Sequence, residues 1–487
     1  MRLPSPMVAG LLCGCERADH SVGGKGMSTL RGGRPGASDI LARTRSQVNV
    51  SLLHVLRIVI RADSDPARQT LFANLMRSHW PVRVVYRLHE RLGRGWAAAL
   101  LVSCYGLAAF LAVAPPRRRG ARIVALAVHE NARHQVARIV RWIGAADCGW
   151  VRSGLGALLR PLGLVASVAQ IGRGRPAAVL RIARRIDRRH GFLVACRGCA
   201  AIAWYARGRA LLGRRRPGVV LVSSDSNPEE VGFAAAARAL GVPQVYVSHA
   251  YPTPYAPPLD FTLSILEGDA AVEARRRGGA IRGDVLLAGI EGESAPLDAS
   301  RLTRPNPVIG VFTPKAIAWP MFAALIDDCR RHCRAGRLII RWHPSMLEAP
   351  RLAAVVDDVS GIVESPRTAA LVDVARQCDW VVADENSNVH LPVLKLGIPT
   401  IAIRRLGLYP ESRSDLYGFI AAGVVYAARE RLRDVDPAAL ASFFSDEWTT
   451  RFREYDASYL RSTEAIGREV GRAVWRLVEQ QPAVQST

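Results

Sequence analysis

The sequence predicts an α/β protein: two Rossmann-like lobes facing a cleft, preceded by a helical segment of membrane-associated character. Three observations predict it. From residue 121 onward, short runs of Val, Ile and Leu alternate with stretches whose apolar residues recur at helical spacing, the pattern of parallel βα units. The alternation breaks once, at 291–307, where Pro, Ser and Arg replace any periodicity and a linker is expected. With 487 residues, 49% of them hydrophobic, the chain is long enough for two or three full cores.

In chain order, residues 1–40 are expected to be disordered or to precede the true start. They hold a short apolar stretch ending "LLCGCER", faintly like a lipoprotein cleavage site, and Met27 opens an alternative start. Residues 41–116 form a helical segment. Within it, 96–114 ("WAAALLVSCYGLAAFLAVA") runs 19 residues without a charge between Arg91/Arg94 and "PPRRRG", close to the length that spans a bilayer. The Arg-rich stretch before it disfavours a clean span, so an interfacial or re-entrant helix is the expectation, with a buried core helix as the alternative.

The N-terminal lobe is expected over 117–295. Its strand at 121–128 opens into a polar loop, His129-Glu130-Asn131. Val219–Val222 opens into Ser223-Ser224-Asp225-Ser226-Asn227 before an Ala-rich helix. A strand at 244–247 ends at Ser248-His249-Ala250, and "LDFTLSILEGDAA" and "DVLLAGI" supply further strands. The C-terminal lobe is expected over 296–440: "PVIGVFTP", a helix around 319–335, "RLIIRWHP", "GIVES", a helix in "AALVDVARQC", "DWVVADENSNVHLPVLKLGIP" and "TIAI". The remaining residues, 441–487, place Trp448, Tyr459 and Trp475 at wide helical spacing and read as helices packing back across the lobes.

Charge and cysteine content narrow the function. The net charge is +24, and between Arg117 and Arg216 there are 22 Arg against three acids, Glu130, Asp147 and Asp187. Such a block suggests an anionic partner: a lipid surface, a polyanionic polymer or nucleic acid. Nucleic acid fits poorly, because the block has few aromatics for base stacking and no reader motif. An anionic membrane surface or a polyanionic polymer fits better. Nine cysteines, an odd count in a long chain, argue for a reducing compartment. Cys196/Cys199 and Cys329/His332/Cys333 read as ordinary thiols, so no metal site is expected.

The order "HAYP", "VLLAGI", linker, strand–"HP" and "VVADENSNVHLPVLKLGIPTI" resembles glycosyltransferase-B enzymes of bacterial surface-polysaccharide synthesis, over about residues 120–440. It is similar to the CDP-glycerol glycerophosphotransferases and to the bacterial sialyl- and Kdo-transferases. The resemblance implies that the "HP" after the C-lobe strand binds the donor's phosphate, and that the Ser-bearing loop before the "LG-P" helix holds the nucleotide. Two positions depart from that pattern. His249-Ala250 stands where many such enzymes have His-Gly, and the usual Glu before the "LG-P" turn is missing, with His390 and Lys395 on that helix instead. The implied reaction moves a sugar or polyol phosphate from a nucleotide-activated donor to a polysaccharide or lipid-linked acceptor at the cytoplasmic face of the inner membrane. No cofactor beyond the donor is implied.

The residues suit that chemistry. A departing nucleotide leaves as an anionic phosphate, so its site needs groups that neutralise charge as the bond breaks. Arg341 and His343 at one strand exit supply a guanidinium and an imidazole, while Trp342 between them points elsewhere by strand alternation. The loop Asp384-Glu385-Asn386-Ser387-Asn388 offers backbone N–H groups and a hydroxyl ahead of a helix, and Thr313 and Lys315 could add a third contact. The acceptor must lose a proton, so a base is expected from the N-lobe: His249 first, then Asp225, then Glu130 and His129. Each has a plainer reading: an ordinary strand exit for Arg341 and His343, helix capping for Asn386, Ser387 and Asp225. Two other functions share this pattern: a non-hydrolysing sugar-nucleotide epimerase, and a non-catalytic scaffold of a polysaccharide assembly.

Overall fold

The computed structural model describes residues 55–60, 80–111, 113–114, 120–144, 148–153, 176–253, 256–344, 346, 352–356, 358–408, 414–428, 431–444 and 446–480. The segment expected to be disordered, 1–40, lies outside the described residues.

Residues 55–60 are helical and bury Val55, Leu56 and Val59; helix α1 (Trp80–Leu92) and helix α2 (Trp96–Leu111) follow. The apolar helix expected over 96–114 is therefore shorter. Val113–Ala114 forms a strand, β1, which pairs antiparallel with residues 152–153. Among the described residues no helix is long and apolar enough to cross a membrane. Ala98, Ala99 and Val102 are fully buried, so one face of α2 belongs to the core.

The first lobe follows as β2 (Ile123–Leu126), α3 (Glu130–Ile143), β3 (Cys148–Trp150), β4 (Arg152–Ser153), α4 (Pro176–His190), α5 (Phe192–Arg215), β5 (Val219–Val222), α6 (Pro228–Ala239), β6 (Gln244–Val247), β7 (Asp260–Leu266), α7 (Asp269–Gly278) and β8 (Arg282–Leu287). Its six-stranded sheet has the order β3-β2-β5-β6-β7-β8, every neighbour parallel. The unbroken apolar strands of this sheet are buried on both faces, as parallel strands covered by helices must be; all four residues of β5 are buried. One expectation is corrected here. His129-Glu130-Asn131 is not a loop but the start of α3, with His129 in the N-cap position, because the helical spacing extends back to Glu130 and an acid in the first turn complements the helix dipole. Helix α6 packs hard on α5: a Cβ at Gly232 would collide with the Ala201 carbonyl, so only glycine allows this approach.

The second lobe comprises β9 (Val308–Phe312), α8 (Trp319–Arg331), β10 (Arg337–Arg341), β11 (Ile362–Glu364), α9 (Leu371–Ala375), β12 (Trp380–Asp384), α10 (His390–Lys395), β13 (Thr400–Ile403) and β14 (Tyr426–Ala428). Its sheet, β11-β10-β9-β12-β13-β14, is also wholly parallel. Helix α8 stops at Arg331, four residues short of expectation, where Arg334 turns left-handed at φ 52°.

Three helices close the chain: α11 (Pro437–Phe443), α12 (Asp446–Tyr455) and α13 (Thr463–Glu479). Helix α13 returns to the first lobe, where Ile466, Val470, Val474 and Val478 join the core of Ile123 and Val219 and Trp475 Nε1 donates to the Ile143 carbonyl at 3.0 Å. Lys395 of α10 is buried against Asp456 at 3.1 Å and also donates to Ile290 O and Ser458 Oγ, each at 2.5 Å. That cluster ties the linker and the chain after α12 to the second lobe.

Candidate functional site

In open parallel sheets, ligands bind outside the carboxyl ends of the strands, at the point where strand order reverses. In the first lobe that point lies between β2 and β5, and in the second between β9 and β12. The two crevices differ in chemistry.

The first-lobe crevice is filled by the protein's own carboxylate. Glu230, fully buried, accepts N–H bonds from Val128 at the β2 exit (3.0 Å) and from Ser223 at the β5 exit (2.7 Å), and from Ser224. These are the backbone donors that would otherwise face a phosphate. Burial pushes the Glu230 carboxyl up to about 7, against the pull of the three N–H groups. No sequence signal singled it out.

His249, at the β6 exit, holds its Nδ1 2.6 Å from the Ser223 carbonyl. A carbonyl only accepts, so Nδ1 carries the proton and Nε2 the lone pair. Burial lowers this imidazole below its ordinary 6.5, which keeps it neutral near pH 7. Asp225 is engaged elsewhere: it pairs with the buried guanidinium of Arg275, which also donates to Tyr246 Oη at 2.7 Å. It does not cap α6, whose N-cap is Asn227. Glu130 is exposed and lies 3.5 Å from Arg133 and 3.5 Å from His134 on its own helix; His129 is exposed beside it.

The second-lobe edge is cationic. Thr313, just past β9, brackets the neighbouring exit: its N–H donates to the Arg341 carbonyl at 3.0 Å and its hydroxyl accepts from His343 N at 3.1 Å. Arg341 is half-buried, 5.7 Å over the Phe312 ring, and its Nε is buried without a hydrogen-bond partner. Trp342 turns the other way into the core, donating to Glu364 Oε2 at 2.6 Å. His343 is half-buried, and burial together with the charges of Lys315 and Arg341 depresses it to about 4. A phosphate arriving there would raise it again and draw a proton onto it. Lys315 is exposed one residue beyond Pro314.

The loop after β12 spends much of its polarity internally. Asp384 Oδ1 accepts from Asn386 N at 3.0 Å, the Asp384 carbonyl from Ser387 N at 3.0 Å, and Ser387 Oγ from Val389 N at 3.4 Å. The backbone donors expected to face an anion are thus partly used, while the Ser387 hydroxyl proton and Asn388, whose Oδ1 is buried without a partner, remain beside the crevice. Glu385 accepts from Ser414 Oγ at 2.7 Å and Asn386 Oδ1 from Leu416 N at 2.7 Å, anchoring a loop whose Tyr417 and Phe419 pack on Tyr251 with centroids 6.2 and 5.4 Å away. Tyr251 lies two residues beyond His249. The β6 exit of one lobe and the β12 exit of the other therefore share a border.

Sequence reasoning missed Glu230, Arg275 and the Lys395–Asp456 pair. The Cys196 thiol is pushed far up and that of Cys199 up to about 12 by burial, so neither is a thiolate at neutral pH. No cluster able to hold a metal ion occurs among the described residues.

No protein-family profile matches the sequence, and no curated protein matches it. Among solved structures, the chain is similar to the S. aureus MnaA–UDP co-structure (12% identity, 75% of this chain and 100% of that one, TM-score 0.43). It is similar to the UDP-GlcNAc 2-epimerase from Neisseria meningitidis bound to UDP-GlcNAc (11%, 74% and 99%, 0.42) and to the glycosyltransferase SnogD from Streptomyces nogalater (13%, 74% and 95%, 0.35). At such low identity and score, the chemistry of this chain has to be read from its own residues.

Proposed function

We propose that the chain is a metal-independent transferase that moves a sugar or polyol phosphate from a nucleotide-activated donor to a polysaccharide or lipid-linked acceptor. The observation that carries this reading is the opposed chemistry of the two crevices. Glu230 takes up the backbone donors that a phosphate would need in the first lobe, whereas the second lobe presents Arg341, His343 and Lys315 at the equivalent edge. The donor phosphate belongs in the second lobe and the acceptor in the first.

On this reading Arg341 and His343 receive the charge that develops on the departing phosphate. His249 Nε2 takes the acceptor hydroxyl proton, with the imidazole held in the required tautomer by the Ser223 carbonyl. Ser387, Asn386, Asn388, Glu385 and Thr313 line or brace the nucleotide side, and Asp225 and Glu130 stand behind His249 as weaker candidates. The test is product analysis with a panel of nucleotide sugars and CDP-polyols, with and without a polysaccharide acceptor. Acceptor-dependent transfer is expected. Isomerised donor formed without acceptor would replace transfer with epimerisation, and nucleotide binding without turnover would leave a scaffold.

A further inference from the structure

Independently of the reaction, we infer that the edge formed by α1 and α2 docks on the surface of an anionic lipid leaflet and holds the protein to a bilayer without crossing it. Among its described side chains, helix α2 buries Ala98, Ala99 and Val102 on one side. Opposite Ala98, Ala99 and Val102, the side chains of Trp96 and Leu100 keep 53% and 56% of their surface exposed, and Leu107 on the same helical face is exposed as well. Helix α1 repeats the arrangement. Val84, Leu88 and Leu92, four residues apart, are exposed together, while His89 on another face is buried against Asp187 of α4 at 3.0 Å. Elsewhere among the described residues the exposed large apolar side chains, such as Val285, Leu408 and Leu460, are scattered. Here they concentrate on two consecutive helices, and a concentrated patch marks an interaction surface.

The rim of that patch is basic. Arg87 and Arg91 are exposed on α1, and Arg94 in the turn between the helices exchanges hydrogen bonds with Arg188 of α4, at 3.5 and 3.3 Å. Helix α4 therefore lies alongside the turn, and Arg184 sits 4.3 Å over the Trp96 ring. Arg181, Arg185, Arg188 and Arg189 of α4 are all exposed. The acids of α1, α2 and α4 are Glu90, which is exposed, and Asp187, which is buried against His89. An exposed Val/Leu/Trp stripe beside an excess of arginine is the composition of an interfacial helix: apolar side chains sink to the acyl boundary while guanidinium groups reach lipid phosphates. A nucleic acid would have no use for the apolar stripe. The one-sided burial of α2 explains why insertion stops at the interface.

The test is flotation of the purified protein with vesicles of phosphatidylcholine alone or mixed with phosphatidylglycerol. The wild type is expected to float with the phosphatidylglycerol vesicles, to bind phosphatidylcholine weakly, and to resist high salt in part. Replacing Arg181, Arg185, Arg188 and Arg189 together by Gln should weaken partitioning roughly a hundredfold, since several cations near the surface are lost at once. The variant L88N/L92N/L100N should still bind at low salt and wash off at high salt, because only screened charge then holds it. Circular dichroism and nucleotide-dependent thermal shift on the same variants establish that they fold. Wild type that ignores phosphatidylglycerol vesicles, or variants that bind as it does, would overturn the inference. So would apolar substitutions that turn a dimer into a monomer without affecting vesicle binding, which would make the face a protein interface. Wild type that binds nucleotide but not phosphatidylglycerol vesicles would refute docking and leave the transferase reading standing.

Discussion

Glu230→Gln is the most informative single perturbation, because one side chain joins the architecture of the first lobe to its proposed base. The carboxylate accepts from Val128, Ser223 and Ser224, and Ser223 in turn carries the carbonyl that orients His249. Glutamine keeps one acceptor oxygen and turns an NH2 toward backbone N–H groups. At least one buried donor then loses its partner and the amide loses another, at about 1–3 kcal/mol each, so a destabilisation of about 2–6 kcal/mol is expected. Turnover should fall further than stability explains, since a displacement of a positioning group by about 1 Å can cost about a hundredfold. The pH dependence gives a second readout. A carboxyl whose folded value is raised from 4.5 to about 7 is held more tightly protonated in the native state, so its contribution is full below 4.5 and is lost as pH rises through about 7. Urea unfolding across that range should show this decline in wild type and its absence in the variant. Stability within about 0.5 kcal/mol of wild type at neutral pH, with unchanged turnover, would refute the clamp.

His249→Ala should lower turnover roughly a hundredfold or more with donor affinity nearly unchanged, and the acid limb of kcat/KM, below 6.5 because burial depresses this imidazole, should vanish with it; full activity with loss in Asp225→Ala would transfer the role. His390 is fully buried, its Nε2 3.0 Å from the Asp384 carbonyl and its Nδ1 without a partner, and burial lowers it to about 4. Its contribution to stability is complete above 6.5 and is lost as pH falls toward 4, by at most about 3 kcal/mol, and His390→Gln should flatten that acid loss in unfolding titrations. Lys395→Met leaves the buried Asp456 carboxylate without its counter-charge and should cost about 3–5 kcal/mol, much of it recovered in a double variant with Asp456→Asn, whose Oδ1 still accepts from Ile290 N and Ser458 N; an additive cycle would mean that the pair does not interact.

The parallel strands were legible because their runs are apolar throughout, and their polar exits were legible because charge follows immediately: Arg341 and His343 after "RLII", His249 after "QVYV". What the sequence hid depends on long-range packing. Glu230 sits beside Glu229 at the start of an Ala-rich helix, where two acids read as dipole partners facing solvent; only the fold turns one of them into the crevice. Arg275 lies in "EARRRGG" and reads as a solvated face, yet it is 3% exposed and meets Asp225, fifty residues away. The apolar run from Trp96 ended early because Val113–Ala114 finds a strand partner at Arg152–Ser153, a pairing that no local pattern announces. The apolar stripe of α1, broken by Arg at every turn, was invisible until α4 was seen beside it.

The central claim is that the donor's phosphate binds at the carboxyl edge of the second lobe. Titrating CMP, CDP, UDP and GDP into wild type and into Arg341→Gln/His343→Ala, with binding read by calorimetry and thermal shift, tests it most directly. At least one nucleotide should bind and stabilise the wild type by mass action. The double variant should fold, keep its own melting temperature close to wild type, and lose that binding about a hundredfold or more, while Glu230→Gln retains it, because the two crevices lie in different lobes. Equal nucleotide affinity in wild type and in the Arg341/His343 variant, or binding abolished by Glu230→Gln alone, would contradict the account.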